Sequence, residues 1–185
     1  MTEPTRTDTA REIEAHIRTV PDFPRPGISF KDITPLIEDG RALHTAVDAL
    51  AGVAENIQYD RILSAEARGF VFGTALAYRA RKGLILARKP NKLPRETISA
   101  TYELEYGTDV LEAHADSIPE GARVLVADDL LATGGTARAM CQLVENAGGA
   151  VAGVAFLIEL GYLGGRGKLK PYEVVSLITY DDPQD

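Results

Sequence analysis

The chain has 185 residues, 45% of them hydrophobic and 25% charged, the balance of a soluble globular protein with one full core. A formal net charge of −7 excludes an overall basic face for a nucleic acid, while leaving room for a local basic pocket that takes a small anion. A single cysteine, Cys141, excludes an internal disulfide, and the scattered His16, His44 and His114 offer no spacing for a structural metal site.

Residues 1–8 read as a disordered tail, and MTEPTRTDTA lacks the apolar stretch of a signal peptide. Thr9 and Glu12 fit a capping box, and Ala10, Ile13, Ile17 and Val20 follow at helical spacing, so a helix is expected to run up to Pro21. Residues 21–37, PDFPRPGISFKDITPLI, carry four prolines, a glycine and two phenylalanines, too irregular for a long helix or a central strand. Leu43, Ala46, Val47, Leu50 and Ala54 mark a second amphipathic helix.

From there strands and helices alternate. Arg61 to Ser64 reads as a strand, Phe70 to Ala80 as a helix and Leu84 to Ala87 as a strand. Ile98 to His114 holds two alternating runs around Tyr106-Gly107-Thr108-Asp109, the pattern of an antiparallel hairpin or flap. Val124 to Ala127 is a strand, Thr136 to Ala147 a helix, and Val151 to Ile158 and Val174 to Ile178 are further strands. The uncharged run from Ala147 to Ile158 is shorter than the roughly 20 apolar residues a membrane span needs, so a cytoplasmic protein without membrane partners is expected. No linker or internal repeat divides residues 1–185, which points to one α/β domain around a twisted, mainly parallel sheet flanked by helices.

In such sheets ligands bind beyond the carboxyl ends of the strands. Three segments there are polar or glycine-bearing: Ser64 to Gly69, Arg88 to Lys92, and Asp128 to Thr136. The stretch VLVADDLLATGGTA joins a buried strand to two carboxylates and then to a turn cleared of bulky side chains. Turn glycines let backbone N–H groups approach a phosphate, and a following helix N-terminus favours negative charge. Asp128 and Asp129 would repel that phosphate, but suit sugar hydroxyls or the outer sphere of a magnesium ion held by a polyphosphate. The combination fits a phosphorylated ribose; an N-capping aspartate before a purely structural glycine turn fits the pair equally well. GYLGGRGK, residues 161–168, has the wrong spacing for a P-loop and Leu169 where a Ser or Thr is required, so it reads as an ordinary loop. Cys141 lies on a helix face and reads as a small apolar residue.

VLVADDLLATGGTA resembles the phosphoribosyl-pyrophosphate (PRPP) motif of type I phosphoribosyltransferases. DFPRPGISFKDITPLI, AEARGFVFG and ARKPNKLPRETISATYELEYGTD are similar to segments of the adenine phosphoribosyltransferases within that family. The resemblance extends from Ile13 to Tyr180 and implies transfer of phosphoribose from PRPP to N9 of adenine, giving AMP and pyrophosphate. It further implies Mg²⁺ carried by PRPP rather than by a protein metal site, and a homodimer.

Residue by residue, the resemblance assigns Asp128 and Asp129 to the ribose hydroxyls and Ala132, Thr133, Gly134, Gly135 and Thr136 to the 5′-phosphate. It assigns Glu66, Ala67, Arg68, Arg88, Lys89 and Lys92 to the pyrophosphate, with a cis peptide between Glu66 and Ala67. Residues 21–37 become a hood in which Phe30 stacks on adenine and the backbones of Ser29 and Lys31 read its edge. Residues 95–112 become a flexible catalytic loop, with Glu105 as the acid/base group and Tyr106 enclosing the site. Asn91 and Ser64 depart from the family pattern, each where a glycine is common. A phosphoribosyltransferase for xanthine or hypoxanthine is the alternative, although no lysine stands out to pair with exocyclic oxygens. A PRPP-binding regulator is a further alternative, but it would carry an added DNA-binding part and lack the catalytic loop.

Overall fold

A computed structural model describes residues 6–103 and 108–183. Its elements in chain order are α1 (Arg6–Glu14), β1 (Arg18–Val20), β2 (Phe30–Asp32), α2 (Thr34–Glu38), α3 (Gly40–Val53), β3 (Arg61–Ala65), α4 (Gly69–Ala80) and β4 (Gly83–Ala87). Then follow β5 (Thr97–Glu103), β6 (Thr108–His114), β7 (Arg123–Leu131), α5 (Gly135–Asn146), β8 (Ala150–Leu160) and β9 (Val174–Tyr180).

Five strands form a parallel sheet in the order β4-β3-β7-β8-β9. Side chains alternate between its two faces. Ile62, Leu125, Ala155 and Leu157 pack with the helices α1 to α4, around Leu50, Phe72 and Leu76. Leu63, Val124, Val126, Val154 and Phe156 pack with α5 and the β5–β6 hairpin, around Met140, Leu143, Leu111 and Ala113. Covering both faces explains why these strands read as continuous apolar runs. α3 starts cleanly because the Asp39 carboxylate accepts the amides of Arg41 and Ala42, both at 2.9 Å, and those bonds hold its pKa below the usual carboxylate range.

Several boundaries differ from the sequence reading. The first helix begins at Arg6, inside the expected tail, and ends at Glu14. The chain from Arg18 to Val20 is extended because it pairs antiparallel with Phe30 to Asp32, a partner that helical spacing within one segment cannot reveal. The hood is correspondingly less irregular than its prolines suggested, since it contains β2 and the start of α2, the latter with Pro35 in its first turn. β7 does not stop at the carboxylates: it continues to Leu131, with Leu130 and Leu131 still in register with Ile158 and Glu159 of β8. The expected hairpin forms as β5 and β6, and Glu105 and Tyr106 lie outside the described residues.

Among the described residues no helix is long and apolar enough to cross a membrane. Cys141 is fully buried, and burial pushes its thiol up to about 12, which makes it a packing residue.

Phe156 is fully buried in the layer beneath α5 and the hairpin. Phe156→Ala is expected to lower the unfolding free energy by about 3–5 kcal/mol, read from a urea titration; a loss below about 1 kcal/mol would contradict the packing described.

Candidate active site

Taking the strands of the main sheet in chain order, the spatial order is second, first, third, fourth, fifth. The switch point of such a sheet lies between the first and third strands, here β3 and β7, and ligands bind beyond their carboxyl ends. Those two ends carry Glu66-Ala67-Arg68 and Asp128 to Thr136. Together with Gly69 and Ala137 they line a cleft of about 450 Å³. Residues 62 positions apart in sequence therefore share one wall by topology alone.

The Glu66–Ala67 peptide is cis, as the family pattern implied. The Glu66 carboxylate is bonded to the loop after β4. It accepts the Lys89 amide at 2.6 Å and the Arg88 guanidinium at 2.9 Å. The Lys89 amide bond, then the Arg88 bond and charge, hold its pKa down against the opposing effect of burial. Arg88 also exchanges both backbone hydrogen bonds with Glu112 of β6, and its Nη1 donates to the Lys92 carbonyl at 3.2 Å. Lys89 Nζ pairs with Asp109 and lies 3.1 Å from the Tyr102 hydroxyl. Arg88 and Lys89 thus tie the β4 loop to the hairpin, and neither they nor Lys92 are among the residues that line the cleft.

Asn91 has φ +64°, the left-handed conformation that a glycine would supply and that asparagine tolerates better than most residues. The departure from the family pattern therefore leaves the turn intact. Ser64, the other departure, is fully buried and donates to the Ala127 carbonyl at 2.7 Å, bridging β3 to β7 just below the site.

The two aspartates are 9% and 5% exposed. Asp128 Oδ1 accepts the Asp129 amide at 2.9 Å, and a Cβ added to Gly69 would fall 2.3 Å from that same oxygen. Only glycine lets the first turn of α4 come this close. Burial, then the neighbouring Asp129 charge, push the Asp128 pKa well above the usual carboxylate range. Arg68 Nε stands 2.9 Å from Asp129 Oδ2 as an ion pair, but the N–H is not aimed along a hydrogen bond. That buried oxygen has no hydrogen-bond partner among the described residues.

Neither aspartate caps α5. Its cap is Gly134, at φ +80°, and no side chain caps the helix among the described residues. This removes the N-capping reading of the acidic pair. The first amides of α5, at Gly135, Thr136 and Ala137, are left at the cleft wall, where an anion can take them.

A second pocket, of about 390 Å³, adjoins the cleft through Arg68, Leu130, Ala132 and Thr133. Its walls are otherwise mainly apolar: Ile28 and Phe30 from the hood, and Leu160, Tyr162 and Leu163 after β8. Phe30 is held edge-on to Phe23 at 5.0 Å between ring centres, and the Arg68 guanidinium sits 5.2 Å from its ring. Ser29 and Lys31 also line this pocket. Lys31 is 1% exposed, and its ammonium donates to Thr19 Oγ1 at 2.9 Å and lies 4.0 Å from the centre of the Tyr180 ring.

The sequence reading missed Gly69, the apolar wall from Leu160 to Leu163, and the part played by GYLGGRGK. That segment forms two 3₁₀ turns, Gly161–Leu163 and Gly165–Leu169. A Cβ on Gly165 would fall 2.1 Å from the Ala132 carbonyl oxygen, so the segment lies backbone to backbone against the glycine turn. Its crowding of glycines was the available signal for such an approach.

Residues 36–182 match the family model described as a phosphoribosyl transferase domain, which sets the class of the molecule. The chain is 71% identical over 176 residues to an adenine phosphoribosyltransferase of Rubrobacter xylanophilus, covering 95% of each protein. It superposes on the crystal structure of adenine phosphoribosyltransferase from Thermoanaerobacter pseudethanolicus with a TM-score of 0.91, at 52% identity, covering 92% of this chain and 99% of that one. The Saccharomyces cerevisiae enzyme, complexed with an imino-altritol bisphosphate and adenine, gives a TM-score of 0.87 at 36% identity over 92% of this chain and 99% of that one. The chain belongs to the adenine phosphoribosyltransferase family.

A buried carboxylate that ionises less readily folded than unfolded costs stability once the pH rises past the unfolded value of about 4. Asp128→Asn removes that cost and can keep the bond from the Asp129 amide. It is expected to raise Tm at pH 7, with the gain closing as the pH falls toward 3. An unchanged or lowered Tm at pH 7 would contradict the buried, repelled state of Asp128.

Proposed function

We propose that this chain transfers the 5-phosphoribosyl group of PRPP to N9 of adenine, releasing AMP and pyrophosphate in purine salvage. The observation that carries this reading is the continuity of the two pockets through Arg68: an acidic, amide-lined cleft runs into an apolar slot holding an aromatic ring. A phosphosugar fits the first and a planar base the second. The S. cerevisiae relative, complexed with a bisphosphate and adenine, supports the same pairing of ligands.

Ala132 to Thr136 receive the 5′-phosphate through turn and helix amides, and Thr133 and Thr136 add hydroxyls. Asp128 and Asp129 accept the ribose hydroxyls. The buried Asp129 Oδ2, without a hydrogen-bond partner among the described residues, is the acceptor with most to gain. Ala67 and Arg68 hold the pyrophosphate at the cleft wall. Arg88 and Lys89 reach it by exchanging their present partners for phosphate oxygens, and Lys92 joins them from the same loop.

The same carboxylate oxygen, ion-paired with Arg68 but without a hydrogen-bond partner among the described residues, fits an outer-sphere contact to Mg²⁺, with the polyphosphate supplying the main ligands. When bound, the ion neutralises charge building on the leaving pyrophosphate. The C1′–O bond to pyrophosphate loosens first, leaving oxocarbenium character on the ribose, and N9 then forms the new bond to C1′. Carboxylates beside the ribose stabilise that positive charge. Glu105 handles the proton of the purine imidazole, and Tyr106 helps exclude the water that would otherwise capture the ribosyl cation.

Phe30 stacks on the base, and the backbones of Ser29 and Lys31 read its edge. The Lys31 ammonium is engaged by Thr19 and Tyr180, which disfavours it as a partner for the exocyclic oxygens of xanthine or hypoxanthine. We read the enzyme as a cytoplasmic homodimer.

In a screen of bases with Mg-PRPP followed by product mass, adenine is expected to give AMP, with guanine, hypoxanthine and orotate nearly inert; preferential use of hypoxanthine would overturn the assignment. Glu105→Gln is expected to lower kcat by about 10²–10⁴-fold while changing AMP affinity little. Equal losses in both would make Glu105 a binding residue.

A further inference from the structure

We propose that Glu159 and Arg166 form a positioning pair for the 5′-phosphate loop, acting through the backbone contact between Gly165 and residues Ala132 to Gly134 without touching substrate. The inference rests on the reading of Ala132 to Thr136 as the phosphate-binding loop.

The loop and the segment behind it meet without side chains between them. A Cβ on Gly165 would fall 2.1 Å from the Ala132 carbonyl oxygen and 2.9 Å from the Gly134 amide nitrogen. A Cβ on Gly134 would fall 2.6 Å from the Gly165 carbonyl oxygen. Any shift of Gly165 is therefore passed directly to the amides of the turn. Residues 161–168 contain four glycines and have little stiffness of their own, so the position of Gly165 has to be fixed from outside.

Arg166, the next residue, supplies that fixing. Its Nε donates to Glu159 Oε1 at 2.8 Å, its Nη2 pairs with Glu159 Oε2, and its Nη1 donates to the Val174 carbonyl at 2.7 Å. Ser176 Oγ donates to Glu159 Oε2 at 2.6 Å and accepts from Arg166 Nη2 at 3.3 Å. The guanidinium is thus clamped across the ends of β8 and β9 in the bidentate geometry that fixes orientation as well as distance. The Glu159 side chain is 7% exposed. The Arg166 bonds hold its pKa below the usual range, so it is ionised at neutral pH.

The origin of the clamp also suits the role. Glu159 is in sheet register with Leu131, the residue immediately before the phosphate loop. The front of the loop and the prop behind it are therefore referred to the same point of the sheet. Neither Glu159 nor Arg166 lines the cleft or the base pocket; both face a separate groove on the far side of the segment. The other end of the segment has its own anchors. Leu169 is fully buried, and the Tyr172 hydroxyl takes Arg138 Nη1 at 2.5 Å. Loss of the clamp should therefore loosen Gly165 without releasing the whole segment.

The test is steady-state kinetics and calorimetry on the full chain. Glu159→Gln is expected to raise KM for PRPP by about 10-fold, leaving KM for adenine and kcat within about 2-fold. The ratio of AMP to adenosine affinity, which isolates the phosphate, is expected to fall by a similar factor. Arg166→Lys, keeping the charge but losing the fork, should fall between the native protein and Glu159→Gln. A purely structural pair would lower Tm and leave the affinity ratio and the KM split unchanged, and that result would overturn the proposal. Should Glu159→Gln fail to fold, Ser176→Ala removes one bond of the clamp and is expected to shift PRPP KM alone, in the same direction; no shift would overturn the proposal.

Thr136→Asp separates the two layers of the argument, because a carboxylate in the turn repels phosphate. If it abolishes the AMP advantage while Glu159→Gln preserves it, the loop reading stands and the positioning role fails. If Thr136→Asp leaves the advantage intact, the loop reading fails and the positioning role falls with it.

Discussion

Two adjacent carboxylates, Asp128 and Asp129, are buried near the end of a central parallel strand, where desolvation and the neighbouring Asp129 charge both oppose the ionisation of Asp128. The chain around them is arranged to tolerate this. α4 begins at Gly69, close enough for its positive end to lie against Asp128, and Arg68 brings a guanidinium to Asp129. Each neighbouring feature of the site, from the glycine at the start of α4 to the arginine before it, follows from keeping that pair where it is.

The same arrangement divides the cleft chemically. Acidic groups, helix amides and a guanidinium share the wall of one cleft, the set of groups that the proposed sugar, phosphate and pyrophosphate call for. Arg68 is the joint of the molecule, since it contacts the acidic pair and the Phe30 ring together. The apolar pocket and the acidic cleft are in this way adjacent, although their walls come from the hood at one end of the chain and from β7 in its second half. Behind the glycine turn, the segment after β8 supplies a backbone support that has no side-chain chemistry of its own at the point of contact.

Much of this was legible from the residues. Apolar runs between polar, glycine-bearing ends gave the alternation of strands and helices, and VLVADDLLATGGTA carried both the glycine turn and the acidic pair. What was not legible depended on contacts between distant segments. Arg18 to Val20 keeps helical spacing yet forms a strand, because its partner at Phe30 to Asp32 lies beyond the prolines. The ion pairs of Arg88 with Glu66 and of Lys89 with Asp109 join segments far apart in the chain and leave no mark in either segment alone. GYLGGRGK read as an ordinary loop, because a close backbone approach leaves no mark in a sequence except missing side chains. Asn91 is the opposite case: the change from glycine looked consequential, and its left-handed backbone shows the turn preserved.

The most direct measurement is a crystal structure of the chain with AMP bound. The account predicts the phosphate within hydrogen-bond distance of the amides of Gly134 to Thr136, the ribose hydroxyls on Asp128 and Asp129, and adenine against Phe30 beside Arg68. AMP seated elsewhere, or with its base in the acidic cleft and its phosphate in the apolar pocket, would contradict it.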